Sequence, residues 1–286
     1  MRPSLRTRAH LHPLTKRQRR HWQQNGFLVL PKFFSANRVD ELTQVVEQEW
    51  RDRARDDNPL VIDVLEGPLA DRRMYFRDTP DDAKRYPYKL NDLYLTRSEV
   101  RDLALDHDLV LILRSLIGGD PAICNSLNFE RGSQQTYHFD TYYMPGPCVD
   151  GLVVTSICLE DVDPTAGPLT YYPGSHTIPP YRFSDGRLNA VADEMHAATE
   201  YAQHAVAERG LEAVDFIGHK GDVFIWHEQL YHGGRKIIDP ARTRRSLVTH
   251  YWRADVLEVP EGWQLATAGE GQLFLARGHQ PVPVDS

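Results

Sequence analysis

Cysteine is scarce in this chain: Cys124, Cys148 and Cys158 are the whole set, an odd number with no C-x-x-C spacing. That excludes a disulfide framework of the secreted kind and a structural zinc site built on paired thiolates, so the thiols are expected to be reduced. Long apolar runs are missing as well. No stretch approaches the roughly 20 residues that a bilayer-spanning helix needs, and the first residues lack the apolar run of a secretory signal. A cytoplasmic protein with no membrane partner is the expectation. An excess of positive charge is also lacking: 33 Lys and Arg against 40 Asp and Glu leave a net charge of −7. That balance argues against a surface built for nucleic acid, although a basic cluster with Arg17, Arg19 and Arg20 lies near the start. No internal repeat, low-complexity tract or linker breaks the sequence. The 286 residues are therefore expected to form a single domain, 1–286, with a helical N-terminal part over about 1–120, a β core over about 121–253 and a tail over 254–286.

What is present reads first as helices. Thr15 is placed to cap a short helix that Gly26 ends. The run Phe27-Leu28-Val29-Leu30 is a strand stopped by Pro31, and Ser35 caps a longer helix with Val39, Leu42, Val45 and Val46 at helical spacing. Residues 64–92, rich in charge, Pro and Tyr without periodicity, are expected to be loop. Two further helices, 98–106 and 108–117, end at Gly118-Gly119. Strands are predicted over 122–129, 134–143, 152–159, 169–172, 213–217, 223–226 and 246–252. That number of short strands suits a sandwich or jelly roll. The Ala- and Glu-rich stretch 188–210 is predicted to be a helical insertion at the barrel rim, and the Gly- and Pro-rich tail after Trp252 carries no clear element.

Two segments carry chemistry. In Gln134-Gln135-Thr136-Tyr137-His138-Phe139-Asp140, His138 and Asp140 stand two apart, and on a strand they would share a face. One H-x-D is a common coincidence in a chain with 13 His, and the plain alternative is a strand histidine followed by a turn aspartate. The second segment, Gly221 to Gly234, is a turn, an apolar strand, and then His232 before Gly233-Gly234, where the glycines let backbone pass close to a bound group. Two His and one carboxylate leave open positions on a metal, the arrangement of non-haem iron oxygenases, although zinc and manganese also accept such a set. Further on, Arg244 and Ser246 share a face of the strand that follows. A guanidinium fork with a nearby hydroxyl suits the distal carboxylate of a 2-oxo acid. The alternative there is a solvated basic edge with Arg242, Arg244 and Arg245 all facing water.

These motifs, taken in order, resemble the phytanoyl-CoA dioxygenase family of iron(II)/2-oxoglutarate oxygenases over most of the chain. The resemblance rests on Gly26-Phe27-Leu28-Val29-Leu30, His138-Phe139-Asp140, Gly167-Pro168-Leu169-Thr170-Tyr171-Tyr172-Pro173-Gly174-Ser175-His176, His232-Gly233-Gly234 and Arg244. It implies a mainly β fold with flanking helices around a double-stranded β-helix (jelly roll, cupin-like) core. It also implies His138, Asp140 and His232 as iron(II) ligands, 2-oxoglutarate and O2 as co-substrates, and Arg244 with Ser246 as the co-substrate clamp. Gln135 and Lys89 are carried over as further co-substrate contacts. The family pattern selects His232 over His227 as ligand, leaves His250 as an ordinary strand histidine, gives His176 a loop-shaping role, and through Asp140 favours oxygenation over halogenation. The implied reaction is hydroxylation of a small-molecule C–H bond, with desaturation, epimerisation and ring closure as other outcomes. A cupin-type metal-dependent isomerase or hydrolase without a keto acid is the alternative, and a non-catalytic binding module is the other. Neither the substrate nor the oligomeric state can be read from the sequence.

Overall fold

The computed structural model describes residues 13–144, 146 and 148–283; His10 and His12 lie outside them. Helix α1 (Lys16–Asn25) starts where Thr15 and Gln18 cap each other reciprocally, Gln18 N donating to Thr15 Oγ1 at 3.2 Å and Thr15 N to Gln18 Oε1 at 2.9 Å. It stops at Gly26, whose φ of 75° is left-handed and whose missing side chain makes room for the His176 ring. The His176 Nε2 lies 3.2 Å from the Gln23 carbonyl, so that histidine docks the helix end. Strand β1 (Phe27–Leu30) and helix α2 (Ala36–Arg51, capped by Ser35) follow as the sequence predicts. Val39, Leu42, Val46 and Trp50 bury the inner face of α2 while Val45 stays half-exposed. Each such side chain contributes roughly 1.5–3 kcal/mol by leaving water.

The expectation of loop over 64–92 is wrong. Three short strands, β2 (Val61–Val64), β3 (Arg72–Tyr75) and β4 (Tyr88–Asn91), occupy the region with 3-10 turns between them. Their residues are charged because the register pairs Asp63 with both Arg73 and Lys89 across the strands, and cross-strand ion pairs replace the usual alternation. Helices α3 (Ser98–Ala104) and α4 (His107–Ile117) lead into β5 (Pro121–Phe129), with Gly118 as the left-handed cap. The predicted strand over 134–143 does not form. Only His138 makes a bridge, and Asp140–Tyr142 is a 3-10 turn. Next come β6 (Leu152–Cys158), β7 (Leu169–Tyr171), helix α5 (Met195–Glu208) and β8 (Val214–Asp215). The chain ends with β9 (Val223–His227), β10 (His232–Gly234), β11 (Ser246–Arg253), β12 (Gln264–Gly269) and β13 (Gln272–Ala276).

The strands form a jelly roll of two sheets. The large sheet runs β1-β9-β6-β11-β5-β4-β2-β3, and β13 adds to β5 in parallel; the small sheet is β10-β7-β8. Strands from the predicted helical part and from the tail therefore join those of 121–253. In the tail, Arg277 pairs with the fully buried Asp92 at 2.8 Å and lies over Trp263, which holds β13 down. Helix α5 packs at one end in a cluster with Phe139, Tyr142, Phe183 and Tyr231. No helix of the described residues is long and apolar enough to cross a membrane.

Candidate metal centre

His138 and His232, far apart in sequence, exchange both backbone hydrogen bonds: His138 N donates to the His232 carbonyl at 2.8 Å and His232 N to the His138 carbonyl at 3.1 Å. Gly233 and Gly234 permit this pairing. A Cβ on Gly233 would lie 2.9 Å from the Gln135 carbonyl oxygen, and one on Gly234 would lie 2.7 Å from Gln134 N. The glycines thus admit the close approach of the 133–137 segment. Asp140 reaches the two imidazoles from the 3-10 turn. His138 Nε2 and His232 Nε2 lie 3.9 and 3.8 Å from Asp140 Oδ1, too far to hydrogen-bond and close enough to share one cation. The three donor atoms lie within 4.8 Å of one another.

The surroundings fit that donor set to a metal. Each histidine donates Nδ1–H to a backbone carbonyl, Thr136 for His138 and Leu230 for His232, both at 2.8 Å. This fixes the tautomer with the Nε2 lone pair facing Asp140. Trp226 Nε1 donates to Asp140 Oδ2 at 2.6 Å and leaves Oδ1 turned toward the imidazoles. Burial and the neighbouring His232 hold His138 down at about 4, so it is neutral at ordinary pH. Burial alone would raise the Asp140 carboxyl, but His232, His250 and His138 around it hold it well below the usual carboxylate range. Two imidazoles and one carboxylate are the ligand types that a first-row dication takes.

Of the three arginines near β11, the structure separates one. Arg242 is exposed beside Asp163 and Asp239, and Arg245 binds Glu130 at 3.0 Å with Glu47 nearby. Arg244 is buried, and its guanidinium has no hydrogen bond or ion pair among the described residues, only the face of Phe129 at 5.9 Å. Burial pulls it down to about 10, with Cys158 and Glu160 pulling the other way. The Ser246 hydroxyl is likewise buried without a hydrogen-bond partner among the described residues. Arg244, the three donors, Gln135 and Lys89 line one cavity of about 370 Å³. Its apolar wall includes Phe129, Met144, Leu169 and Val248.

His250, expected to be an ordinary strand histidine, has its Nε2 3.5 Å from Asp140 Oδ1 and lines the cavity. The signal was legible: Arg244, Ser246, Val248 and His250 fall on alternate positions, and the β11 register shifts only after His250. His227 instead faces Asp150, at 3.1 Å. Of the tyrosines around the site, Tyr143 lines the cavity, Tyr142 and Tyr171 are core, and Tyr137 and Tyr172 pack against Tyr231.

The Asp140 turn leans on the β9–β10 connection, where Gln229 and the Glu228 carbonyl both bond the Thr141 hydroxyl. Glu228 is 1% exposed. Its burial, with Asp150 nearby, pushes its carboxyl up from the usual 4.5 to about 8. The folded protein therefore holds this proton more tightly than the unfolded chain does, and stability falls as pH rises from about 4.5 through about 8. Glu228→Gln copies the neutral form. It is expected to melt with the wild type at pH 5 and several degrees above it at pH 9, since each tenfold change in proton affinity is worth about 1.4 kcal/mol. Melting curves at the two pH values check this; a variant less stable than wild type at pH 9 would show that the carboxylate is needed.

A profile of the phytanoyl-CoA dioxygenase (PhyH) family matches residues 22–246. No curated protein sequence matches the chain. Among solved structures, the fold is similar to SnoK, a non-heme alpha-ketoglutarate-dependent carbocyclase from nogalamycin biosynthesis, with TM-score 0.63 and 18% identity over 84% of this chain and 85% of that one. EctD from S. alaskensis with bound Fe has TM-score 0.61 and 20% identity over 88% and 81%. SnoN, an alpha-ketoglutarate-dependent epimerase, has TM-score 0.61 and 16% identity over 92% and 98%. The profile spans β1 to the start of β11 and takes in both histidines of the triad, Asp140 and Arg244, and on that match the chain belongs to the phytanoyl-CoA dioxygenase family.

Proposed function

We propose that the protein is an iron(II)- and 2-oxoglutarate-dependent oxygenase that hydroxylates a C–H bond of a small molecule. His138, Asp140 and His232 hold the iron, and Arg244 with Ser246 grips the far carboxylate of 2-oxoglutarate, with Gln135 beside them on the cavity wall. The observation that carries this reading is the Arg244 guanidinium, buried and, among the described residues, unpaired in the cavity of the His-Asp-His cluster. A buried charge without a counter-ion is costly, and a carboxylate of the co-substrate would supply that partner bidentately. An isomerase or hydrolase without a keto acid leaves this cation unused.

Iron(II) and 2-oxoglutarate, when bound, supply the oxidative decarboxylation to succinate and CO2 that drives attack on the substrate by O2. The chain's own residues bind and orient. The carbonyls of Thr136 and Leu230 hold both rings by Nδ1 and turn Nε2 toward the metal position, Trp226 holds Asp140 in one rotamer, and Phe129, Leu169 and Val248 keep water from the clamp. Two of the structural relatives are named as a carbocyclase and an epimerase, so hydroxylation is the finer part of the proposal, taken as the default outcome of oxygenation, while Asp140 in the carboxylate position favours oxygenation over halogenation. Anaerobic titration of the metal-free protein with iron(II) and then 2-oxoglutarate tests the assignment. A visible charge-transfer band that saturates at one equivalent of each is expected. Bound iron without a band on adding 2-oxoglutarate would sink the co-substrate assignment and favour the isomerase or hydrolase.

A further inference from the structure

The family profile stops at residue 246, and β13 with the segment after it lies beyond that match, yet Gln280 lines the same cavity as the metal cluster and Arg244. Several contacts fix its place. β13 pairs in parallel with β5, Leu273 beside Ala122 and Phe274 beside Ile123, and the Tyr94 hydroxyl donates to the Leu275 carbonyl at 2.9 Å. Three residues before Gln280, Arg277 Nη2 donates to Asp92 Oδ2 at 2.8 Å and to the Cys124 carbonyl at 3.1 Å. The other oxygen of that fully buried carboxylate, Asp92 Oδ1, accepts from Asn125 Nδ2 at 2.9 Å and from Ser126 N at 3.1 Å. Asn125 is itself 2% exposed and lines the cavity.

A carboxylate only accepts hydrogen bonds, so Asp92 must face the NH2 end of the Asn125 amide. The amide oxygen is turned away from it and has no hydrogen bond among the described residues. The Gln280 amide, half-buried, has none either. Unmet polar atoms on the wall of a largely enclosed cavity are where a ligand's polar group is recognised. 2-Oxoglutarate cannot satisfy the Asn125 oxygen, because two carboxylates and a ketone offer no donor. On the function proposed above, we propose that Asn125 and the tail residue Gln280 bind the primary substrate through a neutral hydrogen-bond donor, an amide N–H or a hydroxyl, and so help to select it. Asp92 is the positioning residue: one of its oxygens orients the Asn125 amide and the other, through Arg277, places the tail. An anionic group would meet the Asn125 oxygen with like charge and no proton to share.

The test uses protein loaded with nickel(II) and saturating 2-oxoglutarate, so that nothing turns over and the clamp is filled. Calorimetric titration compares probes that differ in the donor: benzamide with acetophenone and benzoate, and benzyl alcohol with benzyl methyl ether. Each donor-bearing probe is expected to bind at least about fivefold more tightly than its counterparts, the scale of a buried hydrogen bond made against one left unmade. Gln280→Met, at a half-buried tail position that makes no hydrogen bond of its own, is expected to cut that preference below about twofold. Its melting temperature and its affinity for 2-oxoglutarate should stay those of the wild type. Asn125→Ala is expected to lose the preference as well. No donor preference in the wild type, tighter binding of benzoate than of benzamide, or a preference that survives Gln280→Met would overturn the proposal. So would a large loss of 2-oxoglutarate binding in Gln280→Met, which would give the residue to the co-substrate. A wild type that binds no 2-oxoglutarate would instead strike the function proposed above, whatever the probes do.

Discussion

Arg244→Met is expected to weaken 2-oxoglutarate binding by about two orders of magnitude and, in the same molecule without co-substrate, to raise the melting temperature. Both effects come from one fact, a guanidinium buried with no partner among the described residues. At neutral pH it stays charged, because burial lowers it only to about 10, so the empty protein carries an uncompensated desolvation cost. Replacing such a charge with an apolar side chain of similar length is often stabilising. With 2-oxoglutarate present the sign reverses, since removing one partner of a buried, hydrogen-bonded charge pair costs about 2–5 kcal/mol. That is roughly thirty-fold to several thousand-fold in affinity. Calorimetry on nickel-loaded protein reads the affinity, and melting curves without co-substrate read the stability. Arg245→Met is the control. It loses the ion pairs to Glu130 and Glu47, so it should destabilise the fold and leave binding alone. If Arg244→Met bound 2-oxoglutarate as tightly as wild type, the clamp assignment would be wrong.

His232→Ala is the second large effect. Removing one of three ligands takes away a donor that its own backbone contacts preorganise, since the Leu230 carbonyl and the reciprocal bonds to His138 already hold the ring. Loss of a group that merely orients a ligand costs about 10–100-fold in metal affinity, so loss of the ligand is expected to exceed 100-fold. After dialysis against a weak chelator, the variant should retain no iron by elemental analysis. His227→Ala, five residues upstream, should retain a full equivalent, because His227 is engaged with Asp150 at 3.1 Å. Trp226→Phe, which removes the hydrogen bond to Asp140 Oδ2, should fall between the two. Equal iron loss in the His227 and His232 variants would reopen the choice of ligand.

Local rules served the sequence reading well where caps and alternation were clean. The Thr15 and Ser35 caps, the stop at Gly26, β1, β5, β6, β9, β11 and the helix within 188–210 all stand where spacing placed them. They failed where long-range pairing outweighed local pattern. Asp63, Arg73 and Lys89 read as loop because charged strand residues find their partners only across the sheet. The tail gave no signal because β13 takes its place from β5 and from the Arg277–Asp92 pair, both distant in sequence. Residues 134–137 read as strand, yet Gln134 is left-handed, with a φ of 52°, and only His138 makes a bridge. Asp140 comes to the histidines from a 3-10 turn, so it meets His138 without sharing a strand face with it.

By itself, the sequence determined the jelly-roll class, most of the helix and strand limits, and the short list of residues able to hold a metal and a carboxylate. Those properties rest on neighbours within a few positions, through capping, alternation and side-chain chemistry. Tertiary structure alone decided which histidines meet, through a two-way backbone pairing of His138 with His232 that no local periodicity encodes. It also decided which cations form ion pairs among the described residues. Arg242, Arg245 and Arg73 are answered by carboxylates from other segments, while Arg244 and Lys89 are left facing the cavity. A charge is spent or kept according to what the fold brings beside it, and that is a property of long-range packing.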